Sequence, residues 1–211
     1  MLAPVLTDVI ETGNWPSRPR EWFTEVTVGL LIAALVYRVR REHAALITLA
    51  RADALTGLGN RRAFQDVLAQ EVVRARRGHQ PLSLIFVDLD SFKLINDLAG
   101  HDEGDRVLCQ LADALRHVAR AHVDSGFRLG GDEFALLLPG SALAQAEAVM
   151  ARIRAHCAQT DVIWRDGPLG FSAGVVELGA QESPADFVRR ADEAMYRHKV
   201  AGRGAACGDV A

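Results

Sequence analysis

Cysteine is scarce in this chain: three in 211 residues, Cys109, Cys157 and Cys207. They lie far apart and none sits in a metal-type or redox-type pair. That pattern suits a reducing compartment, with Cys109 and Cys157 as small core residues. An excess of positive charge is missing as well. With 24 Lys and Arg against 27 Asp and Glu the net charge is -3, which argues against a general nucleic-acid coat. Internal repeats and low-complexity tracts are absent, so repeat architectures drop out. What is present is apolar mass, 49% of residues, enough for one well-buried domain plus an extension.

The N-terminal segment lacks periodicity. Residues 1–21 contain Pro4, Gly13, Pro16 and Pro19 and read as irregular. From Val26 to Tyr37 the chain is apolar all round. Twelve helical residues span only about 18 Å, whereas the stretch from Trp22 to Val39 reaches about 27 Å, near the roughly 30 Å of a bilayer core. Trp22, Phe23 and Tyr37 stand where interfacial aromatics belong, and Arg38, Arg40 and Arg41 follow at once. The expectation is a single-pass inner-membrane anchor over 22–39 with its C-terminal side in the cytoplasm and no sensor domain before it. A packing or dimer helix of a soluble protein is the alternative. A signal peptide fits poorly, because the apolar core begins late and positive charge follows it. From Arg38 to Asp53 the pattern predicts a helix, either a coiled-coil stalk or a plain connector.

Beyond the Gly-rich turn Asp53–Arg62, helical periodicity marks Arg61 to Arg77, with Phe64, Val67, Leu68, Glu71, Val72 and Ala75 on one face. Leu82 to Asp90 reads as a buried strand ending in two carboxylates, Asp88 and Asp90, two residues apart. A polar loop over Gly100–Asp105 and a helix from about Gly104 to His122 follow. Phe127–Gly130 and Phe134–Leu138 form a hairpin around Gly130-Gly131-Asp132-Glu133. A helix over Ala142–Cys157, a strand over Phe171–Leu178 and a helix over Pro184–Val200 complete the order. A hairpin set between helices predicts an α+β fold, an antiparallel sheet covered on one side by helices.

An acid ending a buried strand is costly unless it meets a cation. Asp88 with Asp132 and Glu133 makes an oxygen-only cluster beside a glycine gap, which suits Mg²⁺ carrying a nucleoside triphosphate. Lys199 and Arg203 can neutralise phosphates, and Asn96 and Asp105 offer an amide and a carboxylate able to read a purine edge. Taken singly, each has a plain structural alternative: a helix N-terminal charge for Asp105, a turn former for Asn96, a solvated tail for Lys199 and Arg203.

Seven separated motifs in order resemble a GGDEF-type diguanylate cyclase over about Arg51 to Gly204. They are Asp53–Arg62, Asp88–Asp97, Gly100-His101, Gly104-Asp105, Gly130–Phe134, Ser172–Gly174 and Ala191–Tyr196. The resemblance implies a palm-like, ferredoxin-like core that condenses two GTP into cyclic di-GMP and two pyrophosphates as a homodimer with Mg²⁺, Mn²⁺ being an alternative. It implies that Asp88, the Leu89 carbonyl, Asp132 and Glu133 hold the metals. Asp132 or Glu133 would deprotonate the 3′-hydroxyl. Substrate would meet Phe92, Lys93, Asn96, Asp105, Gly130, Gly131, Lys199 and Arg203. Together with the N-terminal patterning, the expected organisation is a tail over 1–21, a transmembrane helix over 22–39, a stalk over 40–52, the cyclase domain over 53–204 and a tail over 205–211.

One departure bears on regulation. The family's inhibitory product site is an Arg-x-x-Asp ending just before the glycine turn. Here Asp124 supplies the acid, but Ala121 stands at the arginine position and Arg120 is one place early. The expectation is that this site is lost. The rival to an active cyclase is a non-catalytic module that binds GTP or cyclic di-GMP.

Overall fold

A computed structural model describes Phe23, Thr24 and residues 26–38, 51–159 and 170–201, and the backbone alone at 163–164, 167–168 and 202–206. The chain divides into two compact units, Met1–Ala50 and Arg51–Ala211.

In the first unit, Phe23, Thr24 and residues 26–38 are helical. The unbroken part is only about 20 Å long, because each residue adds about 1.5 Å. Among the described residues no helix is long and apolar enough to cross a membrane. Trp22 and Val39, the ends of the expected span, lie outside the described residues. Leu30, Leu31, Ile32 and Leu35 are more than half exposed on this helix. The stalk over 40–52 also lies outside them, save for Arg51 and Ala52, and these correct the expectation of a helix to Asp53. Ala52 forms an antiparallel bridge with Gly59, because the Asp53–Leu58 turn folds the chain back on itself.

In the second unit β1 is Gly59–Asn60, α1 Arg61–Gly78, β2 Leu82–Leu89, α2 Phe92–Ala99 and α3 His101–Val118. Then come β3 Ser125–Gly130, β4 Glu133–Pro139, α4 Leu143–Gln159, the short β5 Ile163–Trp164 and β6 Gly167–Pro168, β7 Phe171–Glu177 and α5 Pro184–Ala206. The main sheet runs β1-β3-β4-β2-β7; only the β1–β3 pair is parallel. α+β describes the fold.

Helices cover both faces of this sheet, not one. All eight residues of β2 are buried. Its Ile85, Val87 and Leu89 pack with α3 and α4, while Leu84 and Phe86 pack with α1 and α5. A strand apolar on both faces needs a cover on each, and the unbroken run Leu84–Val87 carried that signal in place of a period of two. The expected polar loop over Gly100–Asp105 is instead the start of α3, and α2 precedes it. α3 stops at Val118, short of His122, because Ala119 takes an extended conformation (φ -65°, ψ 139°), and a turn over 121–123 follows. Cys157 belongs to the core, but Cys109 is only half-buried.

Local chemistry sets the helix ends near the hairpin. The Asn60 side chain accepts from the Ala63 amide at 3.0 Å to cap α1, and Arg76 and Arg77 sit in its last turn. α5 lies hard against β7: a Cβ on Gly174 would stand 2.2 Å from the Ala191 carbonyl oxygen. This close approach fixes the height of Lys199 relative to the sheet.

Candidate active site

The register of the sheet sets Asp88 on β2 directly opposite Glu133 on β4. Side-chain alternation then places both on the face covered by α1 and α5. A cation from each helix meets one acid. Lys199 of α5 pairs with Asp88, and Arg61 of α1 donates from Nη2 to Glu133 Oε2 at 3.1 Å. Asp88 is the more enclosed, its residue 8% exposed. Burial pushes its carboxyl up; the Lys199 hydrogen bond opposes this, and the negative charges of Asp132 and Asp90 add to it.

The turn between β3 and β4 brings Asp132 to the same strand end. The Leu89 amide donates to the Asp132 carbonyl at 3.3 Å, closing β2 against the turn. Gly131 has φ 55°, a left-handed conformation that glycine takes without strain. A Cβ on Gly131 would meet nothing within 4 Å, and one on Gly130 only the Arg61 guanidinium at 4.0 Å. The backbone of the turn therefore lies open to a ligand.

A second layer of contacts, which the sequence reading left out, holds this turn. Arg128 donates to the Gly131 carbonyl at 3.1 and 2.8 Å and pairs with Asp53 at 3.2 Å. Asp53 also accepts from the Thr56 amide at 2.9 Å and hydroxyl at 2.6 Å. Burial works to raise the Asp53 carboxyl, but the Thr56 hydrogen bonds and Arg128 outweigh it and hold the group below its ordinary range. On the other side Ser172 Oγ donates to Asp90 at 2.8 Å. The sequence signal for this layer was the turn motif Asp53–Arg62 itself, read as a boundary and not as a support.

The purine-reading candidates meet at the α2–α3 junction. Asn96 is half-buried on α2, and Asp105 is exposed on α3. A Cβ on Gly104 would stand 2.0 Å from Asn96 Oδ1, so the glycine beside Asp105 is what lets the two helices close around Asn96. Phe92 and Lys93 lie in the first turn of α2, half-buried and exposed. Arg203 falls within α5, but its side chain lies outside the described residues.

Among the described residues no three His, Cys, Asp or Glu side chains could hold a metal by themselves. The donor set still suits a hard divalent cation. The carboxylates of Asp88 and Asp132 stand at one strand end, and Asp88 already holds an ammonium. Mg²⁺ keeps several waters and takes only one or two carboxylates beside substrate phosphates, so a full protein cage is not required.

A family model described as diguanylate cyclase, GGDEF domain, matches residues 50–205. The chain belongs to the GGDEF domain family. This GGDEF domain is 39% identical over 170 residues to the response regulator PleD of Caulobacter vibrioides, covering 78% of this chain and 37% of PleD. It is 39% identical over 163 residues to a diguanylate cyclase of Vibrio cholerae, covering 77% of this chain and 50% of the relative. The chain thus spans half or less of the length of these curated relatives. Among solved structures, the coiled coil and GGDEF domain of DgcB from Caulobacter crescentus, in complex with c-di-GMP, superposes with a TM-score of 0.68. The two are 30% identical, and the match covers 85% of this chain and 95% of that one.

The expected remnant of an inhibitory site in this GGDEF domain is occupied from within. Ala121 is exposed in the turn after α3. Asp124, its side chain 1% exposed, is bound by Arg120 at 2.6 Å, and Arg120 also reaches the Pro139 carbonyl at 2.8 Å and Ser141 Oγ at 3.1 Å.

Proposed function

We propose that the chain is a diguanylate cyclase that joins two GTP molecules into cyclic di-GMP and releases two pyrophosphates. The observation that carries the reading is the backbone bond from Leu89 to Asp132, which sets the acid turn at the Asp88 end of β2 beside the open Gly130-Gly131 backbone, within a GGDEF domain. Each protomer binds one GTP, with guanine at Asn96 and Asp105 and phosphates at Lys93, Lys199, Arg203 and the turn glycines. Phe92 packs beside the nucleotide. Two protomers meet face to face. Each 3′-hydroxyl oxygen forms a bond to the other nucleotide's α-phosphorus as the bond to the pyrophosphate oxygen breaks. The hydroxyl proton passes to Asp132 or Glu133. Such transfer relies on positioning and charge neutralisation.

Asp88, the Leu89 carbonyl, Asp132 and Glu133 would hold Mg²⁺, or Mn²⁺ in its place, which when bound neutralises phosphate charge and polarises the phosphoryl oxygens. Lys199, which pairs with Asp88 here, would serve as a counter-charge for phosphate. The apolar stretch within 22–39, with Arg38, Arg40 and Arg41 at its C-terminal end, supports attachment to the inner membrane with the catalytic unit in the cytoplasm, and the match to a coiled-coil-bearing relative supports a pairing stalk over 40–50. The closed Arg120–Asp124 pair supports loss of product inhibition at that edge.

The test is turnover of GTP with Mg²⁺ by the full chain in detergent, with Asp132→Ala beside it and products separated by chromatography. Cyclic di-GMP from the parent and none from the variant is the expected result. Silence from both would move the reading to a binding module.

A further inference from the structure

Arg61 spans two groups at once. Its Nε donates to the Leu129 carbonyl at 2.7 Å and its Nη2 to Glu133 Oε2 at 3.1 Å. The first bond ties the guanidinium to the backbone of β3 beside the bulge between Arg128 and Gly130. The second then fixes where the Glu133 carboxylate lies. Arginine's planar fork allows both bonds together, whereas an ammonium can supply only one of these positions well.

Glu133 needs such a holder. Its partner across the sheet is Asp88, and directly opposed residues of like charge repel. A Glu133 free to swing toward β2 would also compete for Lys199, the cation on Asp88. We infer that Arg61 is a positioning residue for the reaction, holding Glu133 off Asp88 so that the two carboxylates keep separate stations. This inference rests on the cyclase reading above. The side chains of Arg61 and Glu133 are 60% and 38% exposed, and a pair so open to water adds little to stability. Its value lies in geometry, where a shift of one carboxylate by about an ångström costs up to about a hundredfold in rate.

The experiment compares the full chain with Arg61→Met, which keeps the apolar stem, and Arg61→Lys, which keeps the charge. In Arg61→Met, kcat is expected to fall about tenfold or more while KM for GTP stays within about twofold, the split of a group that acts on reacting geometry. Arg61→Lys should recover only part of the loss, and the melting temperature should hold in both variants. The backbone amide NMR signals of Asp132 and Glu133 should shift in each. Unchanged kcat in Arg61→Met, a loss confined to KM, or full recovery by lysine overturns the inference. A parent without turnover counts against the cyclase reading alone; unmoved signals of Asp132 and Glu133 would then overturn this one.

Discussion

Arg128 Nη1 lies 3.2 Å from Asp53 Oδ1, and the two side chains are only 14% and 23% exposed. The same guanidinium holds the Gly131 carbonyl, so the turn that opens the domain is fastened to the turn that carries the acids. Removing Arg128 strips a half-buried carboxylate of its cation and the glycine turn of its strap. Arg128→Ala is expected to cost about 1–3 kcal/mol in urea denaturation. Arg128→Lys should recover less than half, because one ammonium cannot serve both acceptors with a fork's geometry.

The Asp53 carboxyl is held below its ordinary value. A depressed carboxyl stabilises the fold above the unfolded value, and this contribution is lost as pH falls through the folded one. Acid should therefore narrow the gap between parent and Asp53→Asn. Melting curves from about pH 6 down to about pH 3 are expected to converge at the acid end. A gap that widens on acidification would contradict the assignment.

Asp88 carries the opposite shift, upward, with burial as its main cause. An ionised group in that state costs stability, present above the unfolded value and relieved on protonation. Asp88→Asn is accordingly expected to leave the unliganded chain as stable as the parent or more so while abolishing turnover. Calorimetry beside the chromatographic assay checks both halves. A marked loss of stability would show that the Lys199 bond outweighs the burial cost.

Gly104→Ala puts a methyl group where Asn96 Oδ1 now lies, 2.0 Å from the added carbon. That atom ends a rotatable side chain, so the fold can yield by turning Asn96 away. The expected outcome is a KM for GTP raised about tenfold, as for loss of one base-reading amide, with a melting temperature near that of the parent. A collapse of stability instead would mean that the helix backbones, not Asn96, bear the strain.

Arg120→Ala leaves Asp124 buried without its cation and also breaks the bonds to Pro139 and Ser141. A loss of about 1–3 kcal/mol is expected in urea denaturation. Added cyclic di-GMP should not inhibit the parent at this edge. Tight inhibition abolished by Asp124→Asn would show that the pair opens to admit product.

The order of helices and strands could be read from the chain because local periodicity and turn chemistry encode it. The run Gly130–Phe134, the acids at the end of β2 and the motifs around them were enough to mark the family. The near miss at the end of α3 has a local cause: a single extended residue, Ala119, ends a pattern that otherwise looks helical. Two helices in place of one after β2 were harder, since α2 is only eight residues long.

Sequence by itself determined which residue types gather: acids after apolar strands, glycines in the turn, a basic end to the last helix. Only the tertiary structure decided how they pair. Register set Asp88 against Glu133, and the packing of α1 and α5 side by side on one sheet face chose which helix meets which acid. The contacts of Arg61 with Glu133, Arg128 with Asp53 and Lys199 with Asp88 join residues 72, 75 and 111 positions apart. No local pattern carries such pairings, because the bond depends on where the sheet brings the backbone and not on the spacing along it.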